Sequence, residues 1–162
     1  MIIMIKTLDE SNRPAWAALY KDYANFYGMP MTDATLEAVW GWVQAGISLQ
    51  GRVAMNEAGE VVGLMHFRAM PLPLRGSEVG FLDDLYVAPE HRGSGVVNAM
   101  LSAFKEEALA HDWPFVRWIT REKNYRARTV YDRSADQTDW VLYQMNSINY
   151  KISFDLIFMS SK

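Results

Sequence analysis

A glycine-rich loop joins a strand pattern to a helix pattern in the middle of the chain. Residues 79–88 read VGFLDDLYVA, whereas residues 95–111 carry apolar side chains at the three- and four-residue spacing of a helix. Between them lies the segment Arg92-Gly93-Ser94-Gly95. Glycine permits close approach of a ligand to the backbone, and amide groups at a helix start attract anions. Together with the positive charge of Arg92, the loop predicts an anion site suited to a pyrophosphate.

Two better-known phosphate loops do not fit this segment. The Walker loop requires Gly-Lys-Ser or Gly-Lys-Thr, which occurs nowhere in the sequence. The dinucleotide fingerprint requires a third glycine or alanine where this chain has Asn98. Two glycines alone more often form a turn without a ligand, so the interpretation depends on the surrounding sequence.

The rest of the chain divides into short strands and amphipathic helices. The strand patterns cover 2–7, 51–57, 60–69, 79–88, 115–120 and 140–145. The helix patterns run from an expected cap at Ser11 and Asn12 to Gly28, from Thr32 to Gly46, over 95–111 and over 124–132. A hairpin turn is expected at 57–59 and a loop at 71–76. The order β-α-α-β-β-β-α-β-α-β predicts an α/β fold, because a helix between two strands allows them to pair in parallel.

Composition restricts the class of protein. The 162 residues fit one domain, half of them are apolar, and the formal charge is −3 at pH 7. A weakly acidic chain lacks the basic surface of a nucleic-acid binder, so we expect no nucleic-acid partner. No apolar run approaches the ~20 residues of a membrane-spanning helix, and we interpret the N-terminus as a first strand and not as a signal peptide. The absence of cysteine excludes disulfides and thiolate chemistry, and we expect a cytoplasmic protein.

The segment around the loop resembles the coenzyme A signature of the GNAT superfamily of N-acetyltransferases. That signature reads Gln/Arg-x-x-Gly-x-Gly/Ala, and Arg92, Gly95 and Val97 occupy its fixed positions. Val97 departs from the usual glycine or alanine, and its bulk either shifts the helix start or packs beside the cofactor. The resemblance implies an α/β (α+β) fold with a mixed, mostly antiparallel twisted sheet of about six to seven strands and about four flanking helices.

The same resemblance implies where acetyl-coenzyme A binds. Loop amides are expected to hold its pyrophosphate, and backbone groups of Leu85 and Val87 are expected to bond its pantetheine arm. The cofactor-binding residues that it implies are Leu85, Tyr86, Val87, Arg92, Gly93, Ser94, Gly95, Val96, Val97, Asn124 and Ala127.

A second match lies downstream, where Asn124, Ala127 and Tyr131 resemble the family's Asn-x-x-Ala-x-x-x-Tyr helix. Their spacing of three and four residues puts them on one helix face. Taken alone, Tyr131 would be interpreted as a core aromatic residue. Beside the glycine loop, the resemblance implies that Asn124 helps to bind the cofactor and that the Tyr131 hydroxyl is the general acid for the departing thiolate. The resemblance covers 79–145, whereas residues 1–70 match only in the order of their elements.

Amine acetylation also needs a proton acceptor, and Asp83 and Asp84 interrupt an apolar strand. Strand alternation predicts that their side chains lie on opposite faces of the sheet. A crowded carboxylate can have a raised pKa suited to this task, whereas a solvated one would have no catalytic role. The pair is similar to the Glu-Asp pair of spermidine/spermine and thialysine acetyltransferases, so both are candidates and Asp83 is preferred. Because the chain has no cysteine, we expect direct transfer without an acyl-enzyme.

The remaining ring side chains are secondary candidates. His66 is either a further proton acceptor or, more often for a strand histidine, a structural residue. His91 is expected to face solvent beside the loop. The three histidines lack metal-ligand spacing, so we predict no metal. Trp118 and Tyr143 either line the amine pocket or pack in the core, and the core is preferred.

The end of the chain has its own pattern. We expect residues 1–145 to form a single acetyltransferase domain. Residues 146–162 alternate between apolar and polar side chains, as a half-buried strand does. This extension is interpreted as an edge strand or a contact in a homodimer, and an irregular terminus is the alternative.

These observations predict transfer of an acetyl group to the primary amine of a small molecule. A polyamine, an amino acid and a lysine-like compound all fit. The alternatives are acetylation of a protein lysine or N-terminus, and an inactive protein that senses coenzyme A. A pure interaction module explains neither the glycine loop nor the helix that carries Tyr131.

Overall fold

Five strands and four helices make up residues 2–146, the part of the chain that the computed structural model describes. The strands are β1 (Met4–Thr7), β2 (Gln50–Met55), β3 (Val61–Leu72), β4 (Ser77–Val87) and β5 (Val116–Trp118). The helices are α1 (Arg13–Phe26), α2 (Asp33–Ala45), α3 (Val96–Ala110) and α4 (Tyr125–Tyr131). Short 3-10 turns lie at Pro73–Arg75 and Pro89–His91. No helix in this part of the chain is both long enough and apolar enough to cross a membrane.

The strands form one mixed sheet in the order β1-β2-β3-β4-β5. Neighbouring strands are antiparallel except β4 and β5, which are parallel. Helix α3 connects these two strands, as parallel pairing requires. The predicted α/β fold and its parallel pair are therefore confirmed.

Pairing between β4 and β5 is short. Gly80 lies opposite Val116 and Leu82 lies opposite Trp118, where the register ends. On its other edge, β4 stays paired with β3 as far as Val87. Beyond Leu82 the edge that faced β5 has no strand partner among residues 2–146, so its backbone groups bond to side chains or ligands instead of to a neighbouring strand.

Helices cover both faces of the sheet. On one face Trp16 of α1 packs against Trp40 of α2, with 5.3 Å between ring centroids. On the other face Phe104 of α3 packs against Phe67 of β3 at 5.2 Å. All four side chains are buried, and each contributes roughly 1.5–3 kcal/mol of hydrophobic stabilisation. The two apolar layers hold the sheet between the helices.

The ends of the early elements follow the sequence signals, with one exception. The Thr32 side chain accepts a hydrogen bond from the Thr35 amide at the start of α2, and Gly46 ends that helix with φ of 64°. The hairpin between β2 and β3 has Gly59 in its turn, as predicted. Asn12, expected to cap α1, instead accepts a hydrogen bond from the Asp9 amide at 3.0 Å and makes no cap hydrogen bond.

Two sequence predictions about strands are wrong. No strand forms over 140–145, and the Trp140, Tyr143 and Met145 side chains are largely exposed. An apolar run predicts burial, but a strand also needs an edge with which to pair. The sheet in residues 2–146 therefore has five strands, fewer than expected, and the predicted extension lies outside the described residues from 147 onward.

The second error concerns the loop expected at 71–76. Strand β3 continues through Pro71, which lies opposite Glu78 of β4. The pairing of β3 with β2 has already ended at Phe67. On that outer edge a missing amide hydrogen costs no ladder bond, so proline is tolerated.

The contact that holds β5 against β4 can be tested by adding one methyl group. A Cβ at Gly80 would lie 2.7 Å from the Trp113 ring and 2.8 Å from Val116, both in the core. We expect Gly80→Ala to lower the free energy of unfolding by about 1–3 kcal/mol through overpacking.

The control Gly41→Ala adds a methyl group to an exposed helical position with no atom within 4 Å. It should leave stability unchanged or raise it by up to ~1 kcal/mol. Chemical denaturation measures both, and an equally stable Gly80→Ala protein would contradict the packing.

Candidate active site

A β-bulge at Asp83 changes which way the two acidic side chains point. His66 of β3 lies opposite Asp84, and Phe67 lies opposite Leu82, so Asp83 is an extra residue in β4. Leu82 and Leu85 consequently pack into the same core cluster although they are three positions apart, an odd spacing that would put them on opposite faces of a regular strand. The prediction that the carboxylates lie on opposite faces of the sheet is wrong, because the bulge interrupts the alternation on which it was based.

Both carboxylates line one cavity of about 470 Å³, which we call the carboxylate cavity. It lies between helices α1 and α2 and strands β3 and β4. Its lining consists of Tyr20, Val39, Trp42, Ser48, Leu49, Arg68, Asp83 and Asp84. Two carboxylates and one guanidinium give the lining a formal excess of one negative charge. This cavity therefore favours a cationic group.

A second cavity, of about 380 Å³, lies where β4 and β5 diverge, and we call it the splay cavity. The end of β4, the glycine loop, the start of α3 and one face of α4 surround it. Its lining contains twelve of the sequence-predicted residues, namely Asp83, Leu85, Tyr86, Val87, Arg92, Gly93, Gly95, Val96, Val97, Asn124, Ala127 and Tyr131. Asp83 lines both cavities. The two cavities therefore lie on either side of the bulge.

Two predicted site residues lie outside the splay cavity. Asp84 lines only the carboxylate cavity. The Ser94 hydroxyl donates a hydrogen bond to the His91 carbonyl at 2.5 Å, which closes the loop on itself. His91, expected to face solvent, is partly buried and lines the splay cavity.

The glycine loop presents backbone amides to the splay cavity. Gly93 and Gly95 have φ of 81° and 88°, a left-handed conformation that side chains disfavour. Gly95 is the cap residue of α3, and its carbonyl accepts the first helical hydrogen bond, from the Ala99 amide at 3.0 Å. The first amides of a helix have no partner within it, so those at the start of α3 are available to an anion.

Val97 does not disturb this arrangement. Helix α3 begins at Val96, directly after the loop. The Val97 side chain packs partly buried against the core cluster beneath α3 and also lines the splay cavity. This position agrees with the second option that the sequence left open, in which Val97 packs beside the cofactor.

Arg92 ties the loop to the end of β4. Its Nε donates a hydrogen bond to the Val87 carbonyl oxygen at 3.0 Å. Its guanidinium also lies over the Tyr86 ring, 5.4 Å from the centroid. Both contacts bring a fixed positive charge to the mouth of the splay cavity.

Arg68 holds the first acidic side chain. Its Nε donates to both Asp83 oxygens, at 3.2 Å and 2.9 Å, and its guanidinium lies over the Phe81 ring. Burial raises the pKa of Asp83 above its ordinary value, and the Arg68 charge partly opposes that rise. Among the described residues no acceptor contacts the Nη nitrogens of Arg68. That edge of the guanidinium remains available in the carboxylate cavity.

A phenol and an imidazole hold the second acidic side chain. The Tyr20 hydroxyl and His66 Nδ1 both contact Asp84 Oδ2, at 3.0 Å and 2.9 Å. On the far side of the imidazole, Trp16 Nε1 donates to His66 Nε2 at 2.9 Å. Burial and the Asp84 charge raise the pKa of Tyr20 far above its ordinary value, so its phenol stays protonated and donates.

Tyr131 lies at the end of α4, partly buried against the Trp118 ring at 5.3 Å between centroids. Burial, with a smaller contribution from Tyr27, raises the pKa of Tyr131 to about 12. At the other end of the helix, Asn124 Nδ2 donates to Thr120 Oγ1 at 3.1 Å. The spacing argument that put Asn124 and Tyr131 on one face is confirmed, because both line the splay cavity.

Sequence reasoning missed several residues of both cavities. Trp118 lines the splay cavity and does not belong to the fully buried core, whereas Tyr143 is exposed and lines neither cavity. The cavity-lining residues without an earlier functional assignment include Tyr20, Tyr27, Arg68, Arg126 and Arg133. Trp16, which lines neither cavity and donates to His66, was missed as well. Most reach the site from the α1 segment and from β3, and only the tertiary packing of those elements connects them with it. Within residues 2–146 no three histidine, aspartate or glutamate side chains form a metal site.

A parallel strand pair that diverges beside a glycine loop and a helix start is the arrangement expected of the acetyltransferase class. The family model for the acetyltransferase (GNAT) family matches residues 16–135 of the chain. The chain therefore belongs to the GNAT acetyltransferase family, as an acyl-coenzyme A-dependent N-acetyltransferase.

The relatives agree with this assignment. The D-amino-acid N-acetyltransferase HPA3 of Saccharomyces cerevisiae (strain ATCC 204508 / S288c) is 28% identical over 146 residues, which cover 89% of this chain and 91% of that protein. Among solved structures, the ribosomal-protein-alanine N-acetyltransferase from Brucella melitensis biovar Abortus 2308 has a TM-score of 0.77 at 22% identity, covering 91% of this chain and 100% of that one. The structure of AAC(6')-Iy with the bisubstrate analogue CoA-S-monomethyl-acetylneamine has a TM-score of 0.78 at 17% identity, with 91% and 99% covered. These two structures establish the shared fold.

Proposed function

We propose that the protein transfers an acetyl group from acetyl-coenzyme A directly to the primary amine of a small molecule. The observation that carries this proposal is the position of Asp83, which lines both the splay cavity and the carboxylate cavity. One cavity has the features of a cofactor site, and the other has the charge of an amine site. A reaction between the two ligands would take place at the bulge.

The splay cavity fits acetyl-coenzyme A. A Cβ at Gly93 or Gly95 would meet no atom within 4 Å, so the loop backbone faces open space. The free amides at the start of α3 and the charge of Arg92 are suited to the pyrophosphate. The edge of β4 at Leu85 and Val87 has no strand partner in the described part of the chain, and apart from the Val87 carbonyl bonded by Arg92 it offers backbone groups to the pantetheine arm. The cosubstrate supplies an activated acetyl thioester.

The residues of the chain supply the proton transfers. The acidic side chains attract the ammonium group of the acceptor and receive its proton, which leaves a neutral amine nucleophile. Tyr131 donates a proton to the departing thiolate, and its raised pKa keeps that proton in place at neutral pH. No cysteine is present to form an acyl-enzyme, so transfer is direct.

Within the class of small amines, we propose an amino acid as the acceptor. The two carboxylates of the cavity suit its ammonium group, and the free Nη edge of Arg68 suits its carboxylate. A polyamine would leave this cationic edge unmatched. The related yeast protein, which is named as a D-amino-acid N-acetyltransferase, supports the same class.

Binding of acetyl-coenzyme A is tested by isothermal titration. We expect the wild type to bind in the micromolar range and Gly95→Trp to lose binding, because the indole would fill the loop. Gly59→Trp is the matched control, since Gly59 also has a positive φ and open space but lies in a distant hairpin turn. A wild type that does not bind acetyl-coenzyme A would contradict the proposed function.

The role of Tyr131 is tested through the pH dependence of kcat. Loss of the phenol proton would remove the acid. An ordinary tyrosine loses this proton near pH 10, whereas Tyr131, with a pKa of about 12, keeps it to higher pH. We expect no activity loss from Tyr131 ionisation up to pH 10.5, and a fall of about 10²-fold in kcat for Tyr131→Phe at every pH.

Tyr143→Phe is the control for this experiment, because Tyr143 is exposed and lines neither cavity. Its kcat should equal that of the wild type. A Tyr131→Phe enzyme with full activity would refute the acid role. A wild-type decline centred near pH 10 that is absent from Tyr131→Phe would contradict the raised pKa.

The acceptor class is tested with pairs of substrates that differ only in a carboxylate, such as an amino acid and its decarboxylated amine. A charged hydrogen bond contributes about 1.5–3 kcal/mol, so Arg68→Gln should lower kcat/KM for the amino acid at least tenfold relative to the amine. The change also releases Asp83, but that effect is common to both substrates and cancels in the ratio. Equal losses for both members of the pair would refute a carboxylate contact with Arg68.

A further inference from the structure

Hydrogen bonds connect four side chains in a row, which we call the tryptophan–histidine network. In order they are Trp16, His66, Asp84 and Tyr20. His66 is fully buried, and Trp16 is nearly so. Neither Trp16 nor His66 lines either cavity. The network therefore connects the protein interior to the carboxylate cavity through Asp84.

The contact with Trp16 determines the protonation of the imidazole. An indole N–H can only donate a hydrogen bond, so the nitrogen that it contacts has to accept. Trp16 Nε1 lies 2.9 Å from His66 Nε2, and Nε2 consequently carries no proton. In a neutral imidazole the proton is then on Nδ1.

The proton on Nδ1 points at the carboxylate. His66 Nδ1 lies 2.9 Å from Asp84 Oδ2, and the Tyr20 hydroxyl lies 3.0 Å from the same oxygen. Both known donors thus use Oδ2. The other oxygen, Oδ1, has no hydrogen-bond donor among the described residues, and the Asp84 side chain is 21% exposed in the carboxylate cavity.

We infer that His66 is a positioning residue, held by Trp16 in the Nδ1–H tautomer, which orients Asp84 so that Oδ1 receives the proton of the acceptor ammonium. The inference deepens the proposed function and rests on it. In this step the N–H bond of the ammonium breaks and an O–H bond forms at Asp84 Oδ1. The electron pair stays on nitrogen, and the products are a neutral amine and a neutral carboxylic acid.

The same geometry argues against His66 as the proton acceptor. If Nε2 were protonated, it and the Trp16 indole N–H would both be donors, and the hydrogen bond between them would be lost. The indole N–H would then have no acceptor at a fully buried position, which is costly. The other titratable or charged groups at the carboxylate cavity are Tyr20 on α1, Arg68 on β3 and Asp83 on β4. The Tyr20 phenol keeps its proton, and a guanidinium has no acceptor site for another one, so the proton goes to a carboxylate.

Two substitutions of His66 separate its two hydrogen bonds. In His66→Asn the amide nitrogen occupies about the place of Nδ1, so the donor to Asp84 is retained and the acceptor for Trp16 is lost. In His66→Gln the amide reaches about the place of Nε2, so the acceptor for Trp16 is retained and the donor to Asp84 is lost. We expect His66→Asn to keep kcat within tenfold of the wild type, and His66→Gln to lose about 10²-fold in kcat with an unchanged KM for acetyl-coenzyme A.

The control variant is His111→Gln, which changes a partly exposed histidine outside both cavities and should leave kcat unchanged. Similar losses in His66→Asn and His66→Gln would overturn the inference, because a merely structural histidine would not distinguish them. A loss that is larger for His66→Asn would overturn it as well.

A spectroscopic measurement on the wild type avoids dependence on variants. Nitrogen-15 shifts of the neutral His66 ring are expected to show a protonated Nδ1 and an unprotonated Nε2. A protonated Nε2 would overturn the assigned tautomer. If no amine supports thiol release, the proposed function fails, yet the tautomer measurement can still succeed, so the two failures are distinguishable.

Discussion

Pairing between β4 and β5 ends after Leu82, and the site depends on that divergence. The next residue, Asp83, is the bulge. At one point in the chain, therefore, β4 loses its neighbour β5, and the alternation of its side chains between the two faces of the sheet shifts by one residue. The first change opens the splay cavity beside the loop, and the second brings both carboxylates into one cavity. Neither change alone would bring a cofactor site and an acidic site together at the same residue.

The two adjacent carboxylates have different surroundings, and this difference suggests different tasks. Asp83 contacts a guanidinium on a partly exposed surface, whereas neutral donors hold Asp84. An ion pair fixes the position of Arg68 and leaves its outer edge for an anion. Neutral donors orient a carboxylate without cancelling its charge. Asp83 and Arg68 thus suit recognition of the acceptor, and Asp84 suits receipt of its proton.

Much of this arrangement could be predicted from the sequence, because its signals are local. The loop from Arg92 to Gly95, the helix face of Asn124 and Tyr131, and the parallel pair follow from spacing and residue type within short segments. The bulge could not be predicted, since it depends on how β4 pairs with β3. Without the bulge, strand alternation puts Asp83 and Asp84 on opposite faces, which is why the sequence prediction for them was wrong.

Side chains contributed by distant elements were equally hidden. Trp16 lies 50 positions from His66, and Tyr20 lies 64 from Asp84. Each has a spacing typical of a helix face packed in the core, and that is also where it lies. Only the packing of α1 on the sheet gives these two residues a polar contact as well. The strand expected at 140–145 failed for the opposite reason, because its apolar pattern has no partner edge among residues 2–146.

The tryptophan–histidine network draws on three elements, namely α1, β3 and β4. Docking of α1 is therefore required for the orientation of Asp84, although the sheet and the glycine loop do not depend on those hydrogen bonds. Proteins open locally with less free energy than they unfold globally. With Asp84 in its proposed role, a transient detachment of α1 would stop proton transfer while the strands stay paired, and activity would then be lost on heating before the fold.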